Sequence, residues 1–150
     1  KTDIIILINS INQNHQSISN ILKSWKGLVI NAEYETYTDE YINKEIIAFS
    51  GISNPEKFTY GLKNMGVKVN KHFIFPDHEN IKENDAKEIL EYSKLKNLRV
   101  VTTEKDLIKL KGSKRDSYRE KLYLCSILAK VRIRFDKALL INFLEEKKLI

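Results

Sequence analysis

Ile46-Ile-Ala-Phe-Ser-Gly-Ile-Ser-Asn-Pro-Glu-Lys-Phe58 runs from a strand through a turn into a helix start. Ile46 to Phe49 are apolar without interruption, the pattern of a strand buried on both faces, as in parallel sheets. Ser50-Gly51 ends that strand. Asn54 then supplies an N-cap, Pro55 suits the first helical position, and Glu56 puts an acid in the first turn. Phe58, Leu62 and Met65 recur at helical spacing up to Gly66. A buried strand that feeds directly into a capped helix is the building step of an α/β layer.

The same alternation extends in both directions. Ile4 to Ile8 is a second buried-strand pattern, followed by a helix expected over about His15 to Lys26, where Ile18, Ile21, Leu22 and Trp25 share a face. Trp25 is expected to be mostly buried. Downstream, Val67 to Phe75 reads as a strand, Ala86, Ile89, Leu90 and Ser93 as one face of a helix ending near Leu95, and Leu98 to Val101 as another strand. Leu107, Ile108 and Leu110 suggest a short helix. Lys111 to Lys121 reads as a basic, solvated loop. Leu28 to Tyr37 and Leu122 to Arg134 are extended and alternating, and Asp136 caps a last amphipathic helix with Leu139, Leu140, Phe143 and Leu144. The expected fold is α/β: a layered, mainly parallel sheet flanked by helices, in one domain over residues 1–150.

The chain has 150 residues, 42% hydrophobic and 31% charged, so it is neither disordered nor fibrous and can bury a core. Its formal net charge of +6 favours anionic neighbours. The single cysteine, Cys125, excludes an intramolecular disulfide and is expected in the core; it fits a reducing, cytoplasmic setting. The longest aliphatic run, Ile4 to Ile8, is far below the ~20 apolar residues of a membrane span, so membrane attachment is expected to be peripheral. The first residue is Lys1 rather than Met, which suggests that the chain was cut from something longer.

Asn9-Ser10, Ser50-Gly51, Pro76-Asp77-His78 and Thr102-Thr103-Glu104 all follow expected parallel strands. In open α/β sheets ligands bind at that carboxyl edge, so these turns are expected to form one functional face. Gly51 and Asn54 flank a turn and helix start that suit a phosphate or serve as an ordinary βα connection. Asp77 beside His78 can orient the imidazole or raise its pKa for acid/base work. Thr103, Glu104 and Asp106 are explained as a cap with first-turn acids, leaving Lys105 over. His15 and His72 are expected at the surface. No metal ligands stand out, and the sequence lacks G-x-x-x-x-G-K-[ST], G-x-G-x-x-G and H-E-x-x-H.

Ala48-Phe-Ser-Gly-Ile-Ser-Asn-Pro-Glu-Lys-Phe58, Phe75-Pro-Asp-His78 and Val101-Thr-Thr-Glu-Lys-Asp106, in this order and spacing, resemble the carboxyl-terminal part of the tetraacyldisaccharide 4'-kinases, the lipid A 4'-kinases of Gram-negative bacteria. The resemblance is strongest from Ile46 to Leu110. It implies a P-loop kinase that moves the γ-phosphate of ATP to the 4'-hydroxyl of a disaccharide lipid at the inner face of the inner membrane. The phosphate loop, the Mg²⁺ acids and a catalytic aspartate belong to an amino-terminal domain absent from this sequence, so ATP and Mg²⁺ are expected to be held mainly there and this part to be inactive alone.

By the same resemblance, His78 matches the family histidine thought to activate the sugar hydroxyl, with Asp77 as its motif neighbour. Gly51, Asn54, Thr103 and Lys105 become candidates for nucleotide or substrate binding. Leu28 to Tyr37 and Leu122 to Arg134 suit the family's two-stranded antiparallel link between domains. Two positions depart from the family pattern: Ser53 stands where G-I-G is usual, and Ile81 where an aromatic is common. The implied partners are the amino-terminal P-loop domain, a lipid A precursor and the peripheral inner-membrane surface. An alternative is a stand-alone basic module for nucleic acid or anionic lipid, but the aromatics are not interleaved with Lys and Arg on one face, so nucleic acid is not expected. A half-site of a nucleotide-sugar enzyme would rest on fold analogy alone.

Overall fold

The computed structural model describes residues 3–8, 22–77 and 79–150. Its strands are β1 (Ile4–Ile8), β2 (Leu28–Tyr37), β3 (Glu45–Ser50), β4 (Lys68–Ile74), β5 (Arg99–Thr103) and β6 (Ser126–Phe135). Its helices are α1 (Pro55–Asn64), α2 (Glu83–Lys96), α3 (Glu104–Leu110), α4 (Tyr118–Cys125) and α5 (Lys137–Glu146). The strands hydrogen-bond in the order β1-β2-β6-β5-β3-β4. Parallel pairing joins β1 to β2, β3 to β4 and β5, and β5 to β6, giving the mainly parallel α/β sheet that the sequence implies. Contacts divide the chain into two compact units, Thr36–Val131 and Lys1–Glu35 with Arg132–Ile150.

In the Thr36–Val131 unit, β3 is buried on both faces. Ile47 and Phe49 point into a cluster with Phe73, Val100 and residues of α2, α3 and α4, among them Ile89, Leu110 and Leu122. Ile46 and Ala48 point the other way, into a cluster with Phe58 and Leu62 of α1, Val101 and Ile127. Ile46 to Phe49 are all 0% exposed, so alternation across the pleat gives each face of the sheet its own core. The caps form as the sequence indicates. Asn54 Oδ1 accepts from the Lys57 N–H at 3.0 Å with Pro55 in the first turn, and Thr103 Oγ1 accepts from the Asp106 N–H at 3.2 Å.

In the unit made by the two ends of the chain, β1 runs parallel to β2 in the register Ile4↔Leu28 to Ile8↔Ala32. Asp136 caps α5 through the Ala138 and Leu139 N–H groups. Glu33 pairs with Arg134 at 3.6 Å and Glu35 with Arg132 at 2.7 Å. The partner's number falls as the first rises, so β2 and β6 run antiparallel, and the bond from Arg132 holds the Glu35 carboxyl below its usual range. Trp25 is mostly buried, as expected, with its indole Nε1 shielded from solvent. The expected turn Asn9-Ser10, His15 and most of the helix from His15 lie outside the described residues, while Leu22 to Ser24 are helical.

Two expectations need correction. The stretch from Lys111 to Lys121 is not all loop and Leu122 to Cys125 is not extended, because α4 begins at Tyr118. Ser117 caps it through the Glu120 N–H at 3.1 Å, and the Glu83 carboxylate, from the first turn of α2, accepts from the Tyr118 and Arg119 N–H groups. Ser117-Tyr-Arg-Glu120 is a local helix-start signature that the basic composition of the stretch masked, and the Glu83 carboxylate adds a distant acceptor for the next two N–H groups. Cys125 is exposed instead of buried in the core, with its thiol 3.6 Å from the Leu122 carbonyl.

One close approach fixes α1 against the end of β2. A Cβ on Gly61 would lie 2.0 Å from Thr36 Oγ1 and 3.0 Å from Thr36 Cβ. Gly61→Ala is expected to lose about 1–3 kcal/mol in urea unfolding despite alanine's better helix propensity, and Thr36→Ala in the same background to recover much of that loss. An alanine variant as stable as wild type contradicts this account.

Candidate functional site

The carboxyl ends of β3, β4 and β5 meet at one edge of the Thr36–Val131 unit, and hydrogen bonds tie them together. Thr102 Oγ1 donates to the Phe49 carbonyl at 2.8 Å, and the Phe75 N–H donates to the Ser50 carbonyl at 2.9 Å. Above them sits an ion pair: Asp106 Oδ1 lies 2.9 Å from Lys109 Nζ, with the side chains 0% and 13% exposed respectively. The other carboxylate oxygen accepts from Thr103 Oγ1 at 2.7 Å, and the Lys109 ammonium also donates to the Gly51 carbonyl at 3.1 Å. A Cβ on Gly51 would meet Asp106 Oδ1, Lys109 Nζ and the Pro76 carbonyl, each at 3.3 Å. A glycine here lets the turn lie close over the pair.

The expected site residues take distinct places around this edge. Asp77 and Lys105 come together, Oδ1 to Nζ at 2.6 Å, partly in solvent. That contact accounts for the lysine the capping pattern leaves over. Gly51 lies over the buried pair, Thr103 caps α3 and bonds to Asp106, and Asn54 caps α1. His78 lies outside the described residues. Among the described residues no group of three or more His, Cys, Asp or Glu side chains is placed to hold a metal ion.

His72 is not at the surface as expected. Its side chain is partly buried, with Nε2 2.8 Å from Ser50 Oγ and Nδ1 2.9 Å from Thr59 Oγ1. Thr59 donates its hydroxyl proton to the Pro55 carbonyl at 3.1 Å, so it accepts from Nδ1–H. This assigns the neutral Nδ1–H tautomer, with Nε2 accepting from the Ser50 hydroxyl. Burial pushes the imidazole pKa below its ordinary 6.5, and the Asp106 charge opposes that only in part. His72 therefore links the end of β3 to the second turn of α1.

Asp106, Lys109 and His72 are the residues of this edge that sequence reading passed over. For the pair a signal exists: Asp106 is four residues before Leu110, a core side chain, so the two share the buried stripe of α3, and Lys109 follows Asp106 at i+3. A cavity of about 320 Å³ opens at the opposite edge, lined by Glu40, Arg99, Val100, Cys125 and Ser126 among others. There Arg99 already donates to the Tyr41 carbonyl and Glu40, at 2.9 and 3.0 Å. The carboxyl edge, where the polar turns converge, is the better candidate.

Because native His72 resists protonation, the unfolded chain binds more protons between pH 6.5 and the lower native pKa. Stability from this source is complete above pH 6.5 and is lost as the pH falls through that window. Urea midpoints measured from neutral pH down to about pH 5 are expected to drop more steeply for wild type than for His72→Gln. Equal slopes contradict the assignment.

The family model described as tetraacyldisaccharide-1-P 4'-kinase matches residues 1–148. A tetraacyldisaccharide 4'-kinase of Rickettsia felis is 39% identical over 107 residues, covering 71% of this chain and 32% of the relative. One from Rickettsia bellii is 35% identical over 111 residues, covering 74% and 34%. The chain thus spans about a third of the length of these curated relatives. A crystal structure of LpxK from Aquifex aeolicus in complex with ATP aligns with a TM-score of 0.49 at 22% identity, covering 95% of this chain and 42% of that one.

Proposed function

This chain belongs to the tetraacyldisaccharide-1-P 4'-kinase family, and on that footing we propose that it supplies the carboxyl-terminal part of a kinase that phosphorylates the 4'-hydroxyl of a lipid A precursor, a tetraacyldisaccharide 1-phosphate, from ATP. The observation that carries the reading is the Asp77–Lys105 contact, which joins two of the family-like motifs across the carboxyl edge of the sheet. In the transfer, the sugar oxygen attacks the γ-phosphorus, the bond to the bridging oxygen breaks, ADP leaves, and His78 takes the hydroxyl proton. Asp77, held by Lys105, anchors the turn that leads into His78. Thr103, Gly51 and Asn54 lie at the same edge or the next helix start and are the candidates for contact with nucleotide or sugar.

Among the described residues no group of three or more His, Cys, Asp or Glu side chains is placed to hold a metal ion, and no step is assigned to Mg²⁺ here. We place the phosphate loop and the metal-binding acids in an amino-terminal P-loop domain of the full-length kinase, and this part is inactive without it. Among the described residues no helix is long and apolar enough to cross a membrane. The proposed attachment is peripheral, at the cytoplasmic face of the inner membrane where the lipid is reached. A stand-alone basic module is the weaker reading, because cations such as Lys68, Lys71, Arg99, Lys130, Arg132 and Arg134 are each paired with a neighbouring acid.

In the full-length kinase, His78→Ala is expected to lower kcat by roughly 10²–10⁴-fold with little change in ATP affinity. Measuring kcat and melting temperature on one preparation separates this from a packing role. A well-folded variant with near-normal kcat removes His78 from the chemistry. The isolated chain is expected to transfer no phosphate, and turnover in a contaminant-free sample overturns that part of the reading.

A further inference from the structure

We propose that the buried Asp106–Lys109 pair is a positioning device for the phosphoryl transfer, setting the Gly51 turn and, through α3, the Asp77 turn; this rests on the kinase reading above. A buried ion pair is a poor way to gain stability, since desolvation offsets its attraction and an apolar pair of similar volume often serves as well. What this pair has that an apolar pair lacks is direction. Lys109 Nζ reaches Asp106 at 2.9 Å and the Gly51 carbonyl at 3.1 Å, and the carboxylate holds Thr103 Oγ1 at 2.7 Å. Beyond the strand pairing and the Thr102–Phe49 bond, the Gly51 turn and Thr103 are therefore set against each other through charge-assisted hydrogen bonds to the pair.

The same helix extends that control to β4. Lys105 stands one turn before Lys109 on α3, and its ammonium is 2.6 Å from Asp77 Oδ1. Fixing α3 by the buried pair fixes the point from which Lys105 holds Asp77, and His78 is the next residue in the chain. The Pro76 carbonyl, 3.3 Å from where a Gly51 Cβ would stand, brings the two turns into close approach. A positioning error of about 1 Å in such an assembly is enough to cost on the order of a hundredfold in rate. Asp106 and Lys109 touch no reacting atom in this account, and their effect passes through the turns they hold.

The test uses the full-length kinase and three variants. Lys109→Met alone strands a buried carboxylate and is expected to lower melting temperature and kcat together. Asp106→Asn with Lys109→Met removes both charges while keeping an acceptor for Thr103; it is expected to regain the melting temperature but to stay about 10- to 100-fold down in kcat, with KM for ATP and lipid nearly unchanged. Recovery of kcat along with stability overturns the proposal. Should the double variant not fold, Lys109→Arg decides: it keeps the charge and the fold but replaces a point donor by a planar fork, so kcat is expected to fall, and wild-type kcat overturns the proposal. If wild-type enzyme transfers no phosphate, it is the kinase reading that has failed. The pair is then judged by the amide shifts of Gly51 and Asp77 in a folded variant: displaced signals support the positioning role, unmoved ones overturn it.

Discussion

A fully buried carboxylate needs a partner, and Asp106 has found one that also binds two strand ends. Taking both charges of the Asp106–Lys109 pair out of water costs several kcal/mol per ion, offset only where geometry is good and the remaining polar atoms are satisfied. Here they are satisfied by Thr103 and by the Gly51 carbonyl. Removing either partner of such a pair typically costs about 3–5 kcal/mol, because it leaves the other charge buried and alone. The polar edge of the sheet is thus not a set of independent turns. It is one assembly, in which the ends of β3 and β5 are held by the pair and β4 is brought in through the Phe75 N–H and the Asp77–Lys105 contact.

That edge rests on a strand with no solvent face. With Ile46 to Phe49 at 0% exposure, the end of β3 cannot shift without disturbing the clusters on both sides of the sheet. His72 adds a tie from Ser50 to Thr59 on α1. The charge of the chain is handled differently. Several of its cations sit beside acids along β2, β6 and the β3–β4 pair.

What the sequence made legible was local. The apolar run Ile46 to Phe49, the Asn54-Pro55 start of α1 and the Thr103 cap of α3 each have their cause within a few residues, and each appears where the pattern places it. The elements that escaped did so for different reasons. The helix from Tyr118 carries a local start in Ser117 and Glu120 that the surrounding basic residues masked, whereas the burial of His72 depends on Ser50 and Thr59, which only the folded sheet brings to it. Asp106 fits the role of a first-turn acid so well that its burial above Leu110 was masked by the simpler explanation.

The central claim is that chemistry in the full-length kinase happens at the carboxyl edge of the Thr36–Val131 unit. Amide hydrogen exchange measured with and without ATP and the disaccharide lipid tests it most directly. The account requires slower exchange on binding at Gly51 to Asn54, at Asp77 and at Thr103 to Lys105, with little change at Arg99, Cys125 and Ser126 on the opposite edge. Protection confined to that opposite edge, or no change at the carboxyl edge in an enzyme that turns over, would contradict it.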